Sequence, residues 1–210
     1  MSEPEGLRVE IIAEDALEVA APDPATAQAM AAALRGLAVF AAVVPAPASV
    51  AVLFDPRLLD AAAARAHLVA MGAMPARPAA AGPPLRLPVR YGGEHGPDLG
   101  RLAEAADLSA ADFAARHAAA EYTVACLGFT PGFAYLDGLP ASLSAQRLSV
   151  PRLRVPAGSV GISPGRTGVY ALDGPGGWPI IGRCMVRLFD QGAARPFRLS
   201  PGARVRFEAV

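Results

Sequence analysis

Residues 155–172 read VPAGSVGISPGRTGVYAL, and this stretch decides the fold of the larger part of the chain. Two short apolar pieces, Ser159 to Ile162 and Gly168 to Leu172, are parted by Pro164 and Gly165. They are too short for helices, and Gly and Pro are the punctuation of β turns. The same grammar extends in both directions, through Tyr122 to Leu127, Ile180 to Leu188 and Ala203 to Phe207. Short strands with such frequent turns predict a compact barrel or sandwich rather than a doubly wound sheet. Two helices precede them, over Asp98 to Ala106 and Ser109 to Ala120, the second opened by a capping-box-like Ser109 and Asp112.

Glycine marks where this grammar begins. Of the 21 glycines only Gly6, Gly36, Gly72 and Gly82 precede Tyr91. The earlier part alternates extended and helical stretches: Leu7 to Ala13, Ala16 to Ala20, a helix over Pro24 to Leu34, then Leu37 to Val44 and Ser49 to Phe54. Asp23 is placed to cap the first helix and Asp60 a second one running to about Met71. A βαββα order predicts a small ferredoxin-like α/β unit, with Leu85 to Arg90 as a candidate closing strand. The proline-rich segment Pro75 to Pro84 reads as a linker. The expected division is an α/β domain over 1–82 and a β domain over 83–210, α+β overall.

Composition excludes several function classes. The charge is balanced, 19 basic against 19 acidic residues, so no global field draws the chain to nucleic acid or a membrane. Apolar runs are broken well short of the roughly 20 residues that a membrane span needs. The acidic start MSEPEGLRVE is unlike a secretory signal, and two cysteines are too few for a disulfide framework, so a cytoplasmic setting is expected. Every basic residue is arginine. Without lysine these residues can supply no P-loop lysine, Schiff base or biotinylated side chain.

The candidate chemistry lies in the second half. Gly128-Phe-Thr-Pro-Gly-Phe-Ala-Tyr-Leu136 repeats a Gly-Phe unit that could wall a pocket with Phe129, Phe133 and Tyr135, or plug a tight β connection. Between Ala145 and Phe189 six arginines, Arg147, Arg152, Arg154, Arg166, Arg183 and Arg187, face one acid, Asp173. Arg152 and Arg154 share a strand face and could fork a carboxylate or phosphate, or meet an acidic partner. The Gly-rich loops at 156–161 and 174–178 could form anion nests, the second beside Trp178. His117, in the last turn of a helix, either complements the dipole or serves as a general base near neutrality. His67 is alone on its helix, and His95, between Glu94 and Asp98, matches no standard metal-ligand spacing; no metal is expected.

Taken together these phrases resemble the B subunits of 5-oxoprolinases, the family also known as allophanate hydrolase subunit 1, which includes a sporulation-kinase inhibitor. The resemblance is carried by PVRYGGE from Pro88, GPDL from Gly96, His117 with Tyr122, GFTPGFAYL from Gly128, VPAGSVGI from Val155, TGVY from Thr167 and PGGWPIIGR from Pro175. It implies a cyclophilin-like barrel after the small α/β domain. It further implies C-type and A-type partner subunits, and ATP-dependent opening of 5-oxo-L-proline to L-glutamate; the alternatives are a carboxyltransferase or allophanate-hydrolase-type role in urea metabolism, and a non-enzymatic inhibitor module that binds a histidine kinase. For such a reaction Arg152, Arg154 and the Gly176 and Gly177 amides are candidates to stabilise developing negative charge, and His117 to relay a proton. Phe129, Phe133, Tyr135, Trp178 and Arg183 are candidates to hold the substrate. The chain departs from the family pattern at Arg166 and Cys184, where Gln and Thr are common.

Overall fold

The structure is a computed structural model that describes residues 8–71 and 82–210. The chain divides into two compact units, Met1–Ala80 and Ala81–Val210. Most of the linker expected at Pro75 to Pro84 lies outside the described residues.

In the first unit β1 (Val9–Ala13) and β2 (Ala16–Ala20) form a hairpin, followed by α1 (Pro24–Gly36), β3 (Ala42–Pro45), β4 (Ser49–Leu53) and α2 (Ala61–Met71). The sheet runs β1-β2-β4-β3 and is antiparallel throughout. β4 therefore inserts between β2 and β3, the strands that α1 connects, which is the split βαβ of ferredoxin-like units. Its edge strand is β1, not Leu85 to Arg90: only Glu14 and Asp15 separate β1 from β2, so this pairing closes locally. Alternation turns Leu17, Val19, Val50 and Val52 inward. Against them pack Ala27, Ala31 and Leu34 of α1 and Ala64 and Leu68 of α2, each set at helical spacing. Both predicted caps form, Asp23 accepting from the Thr26 amide at 2.9 Å and Asp60 from the Ala63 amide at 2.7 Å. The strand expected from Leu37 starts only at Ala42, because the chain leaves α1 through Ala38 at φ 54. His67 packs edge-on to Phe40 with ring centroids 6.2 Å apart.

The second unit contains β5 (Leu85–Tyr91), α3 (Leu99–Ala105), α4 (Ala110–Ala119), β6 (Glu121–Leu127), β7 (Ala134–Asp137), β8 (Arg152–Val155), β9 (Ser159–Ser163), β10 (Arg166–Val169), β11 (Gly174–Gly176), β12 (Ile180–Cys184) and β13 (Arg204–Ala209). Seven strands close a barrel in the order β10-β7-β6-β13-β5-β12-β9, while β8 and β11 pair as a separate ribbon. Every pair in the barrel is antiparallel except β5 with β13. Leu85 to Arg90 is thus a barrel strand, claimed by partners that lie about as far away in sequence as this unit permits.

Two apolar cores stabilise this unit. Inside the barrel, Leu87, Val124, Leu136, Ile162, Ile181 and Phe207 share one cluster with Leu99 and Phe113 of α3 and α4. Fully burying each such side chain contributes about 1.5–3 kcal/mol. The second core lies on the outer wall and joins Phe133, Val155, Tyr170, Trp178 and Ile180, with Tyr135 against them. Gly168 lets these rings lie flat on the strands. A Cβ there would sit 3.0 Å from both Phe133 and Trp178 and 2.9 Å from the Ala134 carbonyl oxygen.

Candidate functional site

His117 lies in the last turn of α4, and the expectation of an imidazole titrating near neutrality is corrected by its surroundings. The residue is fully buried, stacked on Phe207 with centroids 4.7 Å apart. Both ring nitrogens are engaged, Nδ1 with the Tyr91 hydroxyl at 2.7 Å and Nε2 with the Thr167 hydroxyl at 3.0 Å. The Gly161 carbonyl can only accept, so Thr167 donates its single proton there, at 2.9 Å. His117 Nε2–H must then donate to Thr167, and Tyr91 O–H to the bare Nδ1. Burial lowers the imidazole pKa to about 3 and pushes the Tyr91 and Tyr122 hydroxyls up. This neutral, doubly bonded imidazole holds β5, α4 and β10 together, and it does not line the cavities described below. The Tyr122 hydroxyl adds a fourth link by donating to the His117 carbonyl at 2.8 Å.

The aromatic candidates do come together, chiefly as packing. Phe133 lies 4.8 Å from Tyr135, 5.0 Å from Tyr170 and 5.6 Å from Trp178, all edge-on, and Phe133 and Trp178 are buried. Gly176 belongs to β11, where a Cβ would meet the Tyr170 hydroxyl at 2.4 Å. Gly177 follows it, with its carbonyl accepting from the Leu148 amide. Phe129 is the exception: it is 60% exposed and has φ 66, a left-handed backbone that a bulky residue adopts only at a cost.

The arginine forks are met by carboxylates of the chain itself. Arg152 donates to Asp98 Oδ1 at 2.9 Å, and Asp98, itself buried, also accepts from the Ile180 amide at 2.6 Å. Arg154 donates twice to Asp173 Oδ2, at 2.6 and 3.1 Å, on the exposed side of the ribbon. The other Asp173 oxygen takes the Ala157 amide at 2.7 Å, so the expected anion nest at 156–161 is filled by the protein's own carboxylate. That amide first, and then Arg154, hold the Asp173 carboxyl below its ordinary range. Arg166 is likewise bound to Asp137 at 2.6 Å. Asp98, 54 residues before Arg152, lies outside the window over which the arginines were weighed, at the start of the expected helix; in α3 its side chain makes no cap bond.

Two adjoining cavities remain. The larger, about 690 Å³, lies against Ala157, Tyr170, Leu172 and Met185, and the smaller, about 230 Å³, against Arg152, Arg154 and Ile180. His95 and Arg183 line both. Glu94 is 3.7 Å from the His95 ring at this junction. Both cysteines are buried, with thiols pushed up by burial, and Cys184 lines the larger cavity. Among the described residues no three His, Cys, Asp or Glu side chains gather to hold a metal ion, and no helix is long and apolar enough to cross a membrane.

The barrel and the unit before it recur in the urea carboxylase of Kluyveromyces lactis, over 97% of this chain and 22% of that one, at TM-score 0.74 and 16% identity. At that identity the likeness is one of fold. Two solved proteins resemble it at higher identity. TTHA0988 matches at 32% identity and TM-score 0.82 over 97% of this chain and 40% of that one. PH0987 from Pyrococcus horikoshii matches at 33% and 0.60 over 97% of both. Residues 7–199 match the family described as carboxyltransferase domain, subdomain C and D, and the chain belongs to that family.

Curated relatives named as the B subunits of 5-oxoprolinases match over about 60% of the chain. That of Escherichia coli O157:H7 is 49% identical over 123 residues, 59% of this chain and 56% of its own length. That of Bacillus subtilis (strain 168) is 44% identical over 126 residues, 60% and 52%. The match thus spans little more than half the length of these relatives.

Proposed function

We propose that this chain is the B-type subunit of an ATP-dependent 5-oxoprolinase, a cytoplasmic assembly with C-like and A-like chains that opens 5-oxo-L-proline to L-glutamate. One observation carries the reading: 43–49% identity to the 5-oxoprolinase B subunits of three separate bacteria, over 123–126 residues. Opening a lactam requires breaking amide resonance, and charge builds on the carbonyl oxygen as it happens. The chain's contribution in this reading is binding and orientation. Arg183 and the walls of the paired cavities position the acid, and the ribbon is held beside them by the Arg152–Asp98 and Arg154–Asp173 pairs. The residues fit a nucleotide triphosphate poorly: the chain has no lysine, and both forks on β8 are already bound to carboxylates. ATP is therefore assigned to the partner chains.

Reconstitution tests the proposal. The purified chain alone should show no 5-oxoproline-dependent ATP hydrolysis, and addition of the C-like and A-like chains should produce it. Full turnover by the single chain, or none by the complete set, would overturn the reading. The family description favours a second reading, a carboxyl-transfer subunit. Its signature would be carboxyl transfer from a biotinylated partner in place of oxoproline-dependent ATP hydrolysis.

A further inference from the structure

Charge accounting at the junction of the two cavities singles out Arg183. Of the arginines that line them, Arg152 is paired with Asp98, Arg154 with Asp173 and Arg187 with Asp190, at 2.9, 2.6 and 3.4 Å. Arg183 has no carboxylate partner among the described residues, and its Nε donates instead to the Ala157 carbonyl at 3.0 Å. Its stem crosses Gly158, where a Cβ would lie 3.2 Å from Arg183 Cγ and 2.5 Å from the Cys184 carbonyl oxygen. Anchored at Nε, the residue keeps both Nη groups for the junction. Glu94 lines the smaller cavity 3.7 Å from the His95 ring, which leaves Arg183, among the described residues, as the one guanidinium at the junction outside an ion pair. One free planar fork matches one carboxylate. Apart from Arg183, His95 and the ion-paired Asp173 and Arg187, the larger cavity is apolar, faced by Tyr170, Ala171, Leu172, Val186 and Leu188. A planar fork next to an apolar wall suits a carboxylate on a compact apolar body.

We infer that the junction is a binding subsite for a small monocarboxylate, with Arg183 gripping the carboxylate through its Nη groups and the apolar wall taking the rest. The inference rests on the oxoprolinase reading only for its first probe, 5-oxo-L-proline.

The test titrates the purified chain with 5-oxo-L-proline, its carboxamide, isobutyrate and inorganic phosphate, followed by calorimetry and ligand-observed NMR. It is repeated for Arg183→Gln, Arg183→Lys and the remote surface control Arg86→Gln, and as KM for 5-oxo-L-proline in the reconstituted complex. Arg183→Gln should weaken acid binding or raise KM roughly tenfold or more, with Arg183→Lys intermediate and Arg86→Gln unchanged. The carboxamide and phosphate should bind much more weakly than the acids. Unfolding followed by Trp178 fluorescence checks that each variant folds; if Arg183→Gln does not, Arg183→Lys decides. Binding of isobutyrate but not 5-oxo-L-proline, with the same dependence on Arg183, would keep the subsite and remove the oxoprolinase reading. Normal turnover with unchanged KM in Arg183→Gln would do the reverse. Carboxamide or phosphate binding as tight as acid binding overturns the subsite, as does the absence of acid binding in both settings. Loss of co-purification with the partner chains at unchanged KM also overturns it, giving Arg183 to a partner's carboxylate.

Discussion

Acidification should unfold the barrel through His117. The imidazole is neutral in the fold, with a pKa lowered to about 3, and returns to its ordinary value near 6.5 once unfolded. The unfolded state therefore binds an extra proton between those values, and stability falls with pH across that window. The sign is fixed: the His117 contribution is fully present above about pH 6.5 and is progressively lost toward pH 3. From about pH 7.5 to about pH 5 the loss works out to about 2 kcal/mol, at 1.36 kcal/mol for each unit below the unfolded value. Tyr91 and Tyr122, the titratable groups against the ring, are pushed up by burial and stay neutral over this range. The chain has one tryptophan, Trp178, so its fluorescence reports the barrel unit alone in urea titrations. His117→Gln should lower stability at neutral pH by about 1–3 kcal/mol, through hydrogen bonds left imperfect in the core. Its stability should then be about 2 kcal/mol less sensitive to pH than that of the parent over the same interval. Carboxylates common to both proteins cancel in the comparison. Equal pH slopes in parent and variant would refute the argument.

Asp98→Ala strips the half-buried Arg152 guanidinium of its carboxylate and leaves the Ile180 amide without its acceptor; a loss of about 2–4 kcal/mol is expected in denaturant melts, and a near-neutral result would contradict it. Gly168→Ala forces a methyl group against Phe133, Trp178 and the Ala134 carbonyl, so the barrel should lose about 1–3 kcal/mol, with a shift in Trp178 emission. Phe129→Gly releases a left-handed backbone at the cost of a mostly exposed ring, and stability should change by less than about 1 kcal/mol. If that ring touches substrate or a partner chain, turnover of the reconstituted complex drops for Phe129→Gly and Phe129→Ala alike; wild-type turnover in both removes it from the site.

What could be read in the sequence was what depends on near neighbours. The Asp23, Asp60 and Ser109 caps and helices α3 and α4 form as expected, because three or four residues suffice to specify each. Of the two strand pieces of residues 155–172 the first forms in place, while the second runs over Arg166–Val169 and not Gly168 to Leu172, because pairing resumes directly after the Pro164-Gly165 turn, with Arg166 opposite Ser163. Strand β7 was hidden inside GFTPGFAYL, where the glycines that suggested a loop instead make the turn before it. β8 was visible only as the strand face that Arg152 and Arg154 share, without its bounds or its partner β11. The site was harder still. Six arginines against one acid looked like a field awaiting a ligand, yet Asp98, Asp137 and Asp190, outside the counted window, pair with three of them. Charge summed along a sequence is blind to compensation across a fold. Of the two left over, Arg147 and Arg183, only Arg183 lines the cavities, and that is visible only after those pairings are subtracted.

The parallel pairing of β5 with β13 fixes when the barrel can form. β13 lies between β5 and β6, with Val205 opposite both Leu85 and Tyr122, so the first and second strands of the unit meet only through the last. Contacts of such separation carry a large loop-closure cost and slow folding. During synthesis, the unit has no route to closure until residues 204–209 have emerged from the ribosome. Until then the edges of β5 and β6 are open and can pair with other chains. A chaperone, or a partner chain already present, would find its most receptive target in that interval, and expression in company should give more soluble protein than expression alone.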